Sequence, residues 1–155
     1  MSLRSPIIVV QLCNAIYKQL GSAHNECVYQ KALVLELYNM GASSVESEKN
    51  LPVFFEDSKG IVHTIGTERV DVLFRYDGQI HLLELKATTT AIREHVEIQQ
   101  LKKYNDALKY LNTHCDHMYV INFTQAPNRK EVDYVYFDHE FEDHTKLIAL
   151  SSSSV

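Results

Sequence analysis

Apolar residues recur at helical spacing through the first forty positions and then give way to short runs with the look of strands. Ser5-Pro6 predicts an N-cap and a first-turn proline for a helix whose apolar face is Ile8, Leu12, Ala15, Ile16 and Leu20, with Gly21 as its stop. A second helix is predicted from about Asn25 to Met40, ending at Gly41. Val28, Ala32, Leu35 and Tyr38 form one of its faces, and Leu33 and Leu37 widen that face so that the helix reads as well buried. Leu51 to Glu56 and Ile61 to Ile65 read as strands joined by a turn at Asp57-Ser58-Lys59-Gly60. Two more strands, Arg69 to Tyr76 and Gln79 to Lys86, meet at the tight turn Asp77-Gly78. From Ala91 to Leu111 the spacing of Ile92, Val96, Leu101, Tyr104, Leu108 and Leu111 is helical. Met118 to Phe123 and Val132 to Phe137 read as a final pair of strands. There is no internal repeat. The low-complexity stretch Ser151 to Ser154 predicts a frayed end, which leaves a single domain over 1–150 and a disordered tail over 151–155.

The hairpin at Asp77-Gly78 carries the first chemical signal. A two-residue turn there sets Asp71 opposite Glu84 as a non-hydrogen-bonded pair, Cα atoms roughly 4.5 Å apart. Lys86, two residues on, shares their face. On a regular hairpin Val70, Val72, Phe74 and Tyr76 share the core face with Leu83 and Leu85. Arg69, Asp71, Leu73, Leu82, Glu84 and Lys86 share the other, a partly covered cleft. Like charges directly opposed on a sheet are destabilising unless a cation lies between them, and a divalent metal ion fits that place. The plainer alternative is a row of solvated strand charges. Two helical pairs add polar groups: Gln100 and Tyr104 at i and i+4, and Glu26 and Tyr29 at i and i+3. Either tyrosine can equally be a core aromatic with a satisfied hydroxyl, and Glu26 a charge complementing the dipole of its helix.

Composition narrows the class. A chain of 155 residues, 45% hydrophobic and 23% charged, supports one ordinary core. No apolar run reaches the length of a membrane span, and the opening MSLRSP reads as the start of a helix, so the expectation is a soluble, intracellular protein, cytoplasmic or nuclear. Cys13, Cys27 and Cys115 predict reduced, buried thiols. A net charge of -5 argues against a broad nucleic-acid-binding surface and leaves room for a local basic groove. His114-Cys115-Asp116-His117 lies in a short connection without a second pair at finger spacing, which disfavours zinc. His63, His81 and His95 have no partner legible in the sequence.

Five segments in order, Gly21 to Tyr29, Val70-Asp71, Glu84-Leu85-Lys86, Gln100 to Tyr104 and Ile121-Asn122-Phe123, resemble the GxxExxY proteins of the PD-(D/E)XK nuclease-like superfamily. The Gln-x-x-x-Tyr element resembles that of RecB-type nucleases. The likeness spans roughly residues 6 to 137, with Ala23 where the first glycine of the name motif stands and no proline before Asp71. It implies an α/β fold of the restriction-endonuclease-like kind, a mixed central β-sheet flanked by helices. It also implies phosphodiester hydrolysis on nucleic acid, with DNA the expected substrate. Asp71, Glu84 and the backbone carbonyl of Leu85 would hold Mg²⁺ or Mn²⁺, and Glu26, preferred to His24, would complete the shell or hold a second ion. Lys86 would orient or help deprotonate the attacking water, and Gln100 and Tyr104 would position the scissile strand or order Lys86. Arg69, Arg93, Lys102 and Lys103 are the candidate phosphate contacts, though two adjacent helix lysines read as readily as a solvated face. A homodimer would set two sites on two strands.

A second reading keeps the fold and drops the chemistry: a catalytically silent binding or accessory module within a larger nucleic-acid-processing assembly. A small-molecule α/β enzyme ranks last, because the sequence has no glycine-rich phosphate loop and no nucleophile motif.

Overall fold

The first helix turns its valines and its one cysteine inward, and the rest of the architecture follows from that face. A computed structural model describes residues 4–141. Helix α1 spans Arg4–Leu20 and buries Ser5, Pro6, Val9, Val10, Cys13, Ile16 and Tyr17. Ser5 is therefore inside the helix and not its cap. Ile8 and Leu12, expected on the apolar face, are only half-buried, because the buried stripe runs through Val9 and Cys13. Helix α2, Glu26–Asn39, is capped by Asn25, whose side chain accepts from the Val28 amide at 3.3 Å. Its buried face is Tyr29, Gln30, Leu33 and Leu37. Val28, Leu35 and Tyr38 face outward at 36%, 66% and 53% exposure, so the expectation of a well-buried helix with these residues on its apolar face is overturned. Both candidate faces have helical periodicity, and only the packing partner distinguishes them.

The strands are β1 (Ser44–Glu56), β2 (Val62–Tyr76), β3 (Gln79–Lys86), β4 (His117–Asn122) and β5 (Asp133–Asp138), with α3 (Glu94–Tyr110) between β3 and β4. They form one mixed sheet in the order β1-β2-β3-β4-β5, parallel only between β3 and β4, where α3 supplies the crossover. The two strands expected at 61–65 and 69–76 are one continuous strand, and β1 starts seven residues before its expected Leu51. The register slips at Val53/Phe54. The turn at Asp77-Gly78 has φ of 54° and 74°, as a type I′ turn requires, and the pairs from Tyr76↔Gln79 to Val72↔Leu83 hold the expected register.

Both faces of this sheet are covered, which corrects the reading of one core face and one polar face. Val72, Phe74, Leu83, Leu85, Tyr119 and Ile121 pack with α1 and α2. Leu73, Leu82, Met118 and Val120 pack with Leu101, Tyr104 and Leu108 of α3. The result is a helix–sheet–helix sandwich, an α/β architecture. Val70 breaks the alternation: it lies in the α3 core, whereas Val72 lies in the α1–α2 core. Asp71 stands at that break, unpaired in both ladders, although Ser47↔Val72 and Lys49↔Val70 keep the β1 register on either side of it.

His63, His81 and His117 each have side-chain partners. His81 is buried with Nδ1 2.8 Å from the Tyr119 hydroxyl and its ring stacked on Phe74. Burial and the neighbouring His117 push its pKa down to about 3. His117 contacts Tyr136 and Gln79, and His63 pairs with Asp57. Cys13 and Cys115 are buried free thiols, whereas Cys27 is exposed, contrary to expectation. Ser151 to Ser154 lie outside the described residues. Among the described residues no helix is long and apolar enough to cross a membrane.

Candidate functional site

Beyond Val72↔Leu83 the β2–β3 ladder stops, and side chains take over its hydrogen bonds. The Leu85 amide donates to Asp71 Oδ2 at 2.7 Å, and Gln30 of α2 donates to the Asp71 carbonyl at 2.8 Å. The expected backbone pairing of Asp71 with Glu84 is thus absent from the ladder, yet the two carboxyl groups still meet and share a side-chain hydrogen bond. Glu84 is only 8% exposed. Tyr104 donates its hydroxyl to Glu84 Oε2 at 2.6 Å, and Gln100 Nε2 approaches the same oxygen at 3.4 Å and the Tyr104 oxygen at 2.6 Å. The Gln100/Tyr104 pair therefore acts on Glu84, not on Lys86.

Electrostatics follow from this crowding. Burial, then the hydrogen bond and the negative charge of Asp71, push Glu84 up to about 9, against the opposing pull of Tyr104 and Lys86. Glu26, at the first turn of α2, is raised by burial and by Asp71, and is drawn back down by Lys86, the Ala87 amide and Arg69. Burial and Glu84 raise Tyr104 strongly, so its hydroxyl stays a donor. Lys86 points to α3, with Nζ 3.5 Å from Glu97 Oε1.

A cavity of about 380 Å³ opens beside Asp71, lined by Glu26, Glu48, Arg69, Asp71, Leu85 and Ala87 among others, whereas Glu84, Lys86 and Tyr104 do not line it. Glu48 adopts φ 53°, a left-handed conformation uncommon outside glycine, and sits 3.9 Å from Arg69. Of the candidate phosphate contacts only Arg69 lines this cavity. Lys102 lies over the Phe141 ring, Lys103 borders a separate cavity between β1 and α3, and Arg93 is exposed at the α3 N-terminus. Glu97, Gln30 and Glu48 were not singled out from the sequence. Glu97 was legible in principle, three residues before Gln100 on the same helical face.

The donor set can be tested against a divalent cation. No three His, Cys, Asp or Glu side chains among the described residues converge as a ready-made cage. Mg²⁺ rarely uses one: it takes one or two carboxylates and completes its shell with water and phosphate. Asp71 and Glu84 meet that requirement, being hard-oxygen donors forced together, with burial and then Asp71 holding the Glu84 carboxyl well above the usual range. The residues fit the ion.

A family model described as the PD-(D/E)XK nuclease superfamily matches residues 5–135. The chain belongs to that superfamily. Among solved structures it is similar to the crystal structure of SSO0001, at 16% identity and a TM-score of 0.47, over 96% of this chain and 73% of that one. No curated protein matches it.

In this PD-(D/E)XK protein the segment before Glu26 holds a non-glycine residue in the left-handed region. Ala23 has φ 74°, where glycine is favoured, and its amide donates to Gln125 Oε1 at 2.5 Å. A β-carbon in that conformation costs about 1 kcal/mol. Ala23→Gly is expected to raise unfolding stability by up to about 1 kcal/mol, less whatever the freer unfolded chain takes back, without changing the site. Urea denaturation of the two proteins checks it, and a loss beyond 1 kcal/mol would show that the strain is absent.

Proposed function

We propose that the protein is a metal-dependent phosphodiesterase acting on nucleic acid, with DNA the expected polymer and Mg²⁺ or Mn²⁺ the ion. The observation that carries this reading is the meeting of half-buried Asp71 with buried Glu84, with the Lys86 charge close by and Asp71 lining a cavity that also presents Glu26 and Arg69. Asp71 and Glu84 would hold the ion, with Glu26 the third oxygen donor nearest to them and the Leu85 carbonyl a further candidate. When bound, the ion supplies Lewis-acid polarisation of the phosphoryl oxygen and a water of lowered pKa.

The chain's own groups do the rest. Asp71 is fixed by the Leu85 amide, so its carboxylate needs no reordering on binding. Tyr104 and Gln100 hold one Glu84 oxygen and direct the carboxyl group. Lys86 brings a cation to the charge that builds on the phosphate and to the attacking water. Arg69, 62% exposed at its side chain and bordering the cavity, would meet a neighbouring phosphate. Lys102, Lys103 and Arg93 are left as peripheral contacts.

Calorimetric titration with Mn²⁺, followed by a nicking assay on labelled DNA, tests the reading beside Asp71→Ala. The expected result is Mn²⁺ binding weakened about 100-fold or more in the variant, with cleavage lost. Wild-type Mn²⁺ binding without cleavage of DNA or RNA would favour the accessory-module reading. Cleavage surviving in Asp71→Ala would overturn the site.

A further inference from the structure

Glu97 is a carboxylate that stability does not explain. It is 8% exposed, its Oε1 lies 3.5 Å from Lys86 Nζ, and its Oε2 is buried with no hydrogen-bond partner among the described residues. A buried charged oxygen left unpaired costs about 1–3 kcal/mol or more. A single ion pair at 3.5 Å to a lysine that is itself 30% exposed returns little of that. A residue kept only for the fold would do better as glutamine or leucine, either of which has the length to fill the position without a charge.

What Glu97 does touch is the site. Glu97, Gln100 and Tyr104 form one stripe of α3 at i, i+3 and i+7. The lower two hold Glu84, and the upper one holds Lys86. We infer that Glu97 is a positioning residue for Lys86, extending the Gln-x-x-x-Tyr element by one helical turn so that a single rigid helix orders both the carboxylate and the cation of the reaction. This rests on the proposed hydrolysis. Lys86 has four rotatable side-chain bonds and is partly exposed. Without an acceptor beside it, its ammonium spreads over many rotamers and the aimed one is rarely populated.

The test is Glu97→Gln, with Glu97→Asp as the conservative partner. Three readouts are needed: steady-state cleavage of DNA with Mn²⁺, the urea midpoint, and NMR relaxation of the Lys86 side chain. Removing a group that orders another typically costs 10- to 100-fold. Glu97→Gln is expected to lower kcat by about that factor while KM and Mn²⁺ affinity stay put, and to leave the urea midpoint unchanged or higher. The Lys86 side chain should become more mobile, and Glu97→Asp should recover part of kcat. Unchanged kcat together with unchanged Lys86 mobility would overturn the inference, as would a fall in kcat matched by a fall in stability. Should the wild-type protein cleave nothing, the relaxation result still decides whether Glu97 orders Lys86, and the failure then belongs to the nuclease reading alone.

Discussion

Glu84→Gln is expected to make the metal-free protein more stable at pH 8 and at the same time to abolish Mn²⁺-supported cleavage. The sign follows from the direction of the shift. Glu84 titrates at about 9 in the folded chain against 4.5 as the ordinary value. The folded state therefore holds a proton that the unfolded state releases, so the stability Glu84 contributes is complete below about pH 4.5. It is lost progressively as pH rises through the folded value near 9. Glutamine keeps the neutral form at every pH, so the variant's advantage should be small at pH 4.5 and grow toward pH 9. Mn²⁺ must displace the same proton, so wild-type affinity should rise over that interval, whereas the variant's affinity should be low throughout. Saturating ion at 100 times its Kd would add about 2.7 kcal/mol to the wild type and nothing comparable to the variant. Cleavage should fall at least about 1,000-fold, since a metal-bound phosphoryl group is worth several kcal/mol of barrier. Thermal melts across pH, with and without Mn²⁺, measure the first part. A variant destabilised at pH 8 would show that the carboxyl pair is not under the strain inferred for it.

Tyr29→Ala is expected to produce the largest loss of stability among the residues of the recognised motifs, about 3–5 kcal/mol in urea unfolding. Tyr29 is fully buried and lies flat on Phe123, ring centroids 4.3 Å apart and 3° from parallel, with Tyr17 and His24 against its other sides. Its hydroxyl donates to the Gly21 carbonyl at 2.6 Å, tying down the loop that delivers Glu26. Tyr29→Phe removes that hydrogen bond and the one the hydroxyl accepts from Gln125 Nε2 at 3.2 Å, and should cost about 1–2 kcal/mol. Its cleavage rate should fall modestly, through looser placement of Glu26. A Tyr29→Phe protein with unchanged stability but no cleavage would assign the hydroxyl to the chemistry instead.

The hairpin was readable because its turn residues fix the register: Asp77-Gly78 admits few backbone shapes, and the pairing from Tyr76 to Val72 follows. The same logic failed one residue further on. Regular alternation put Val70 with Val72, and nothing in the identities of Val70, Asp71 and Val72 announces that the strand changes face between them. The outer face of α2 misled for a similar reason, since Val28, Leu35 and Tyr38 are as apolar as Leu33 and Leu37 and only tertiary contact separates them. Asp71, Glu84, Lys86, Gln100 and Tyr104 do come together in one region. Their pairings were not legible, because Tyr104 reaching Glu84, and Lys86 reaching Glu97, depend on where a crossover helix lands. The scattered lysines show the limit of reading charge alone: Arg69 borders the cavity, whereas Lys102 and Lys103 do not.

The change of face at Asp71 bears on how the site resists disturbance. Val70 and Val72, on either side of it, are sunk in opposite halves of the interior, both with no exposed surface. Rotating or sliding the backbone at Asp71 would pull one valine or the other out of its packing, at about 1.5–3 kcal/mol each. The carboxylate is moored from above and below before any ligand arrives. On the proposed reading an incoming cation would meet a carboxylate already in place, and damage to either half of the interior should reach this one residue.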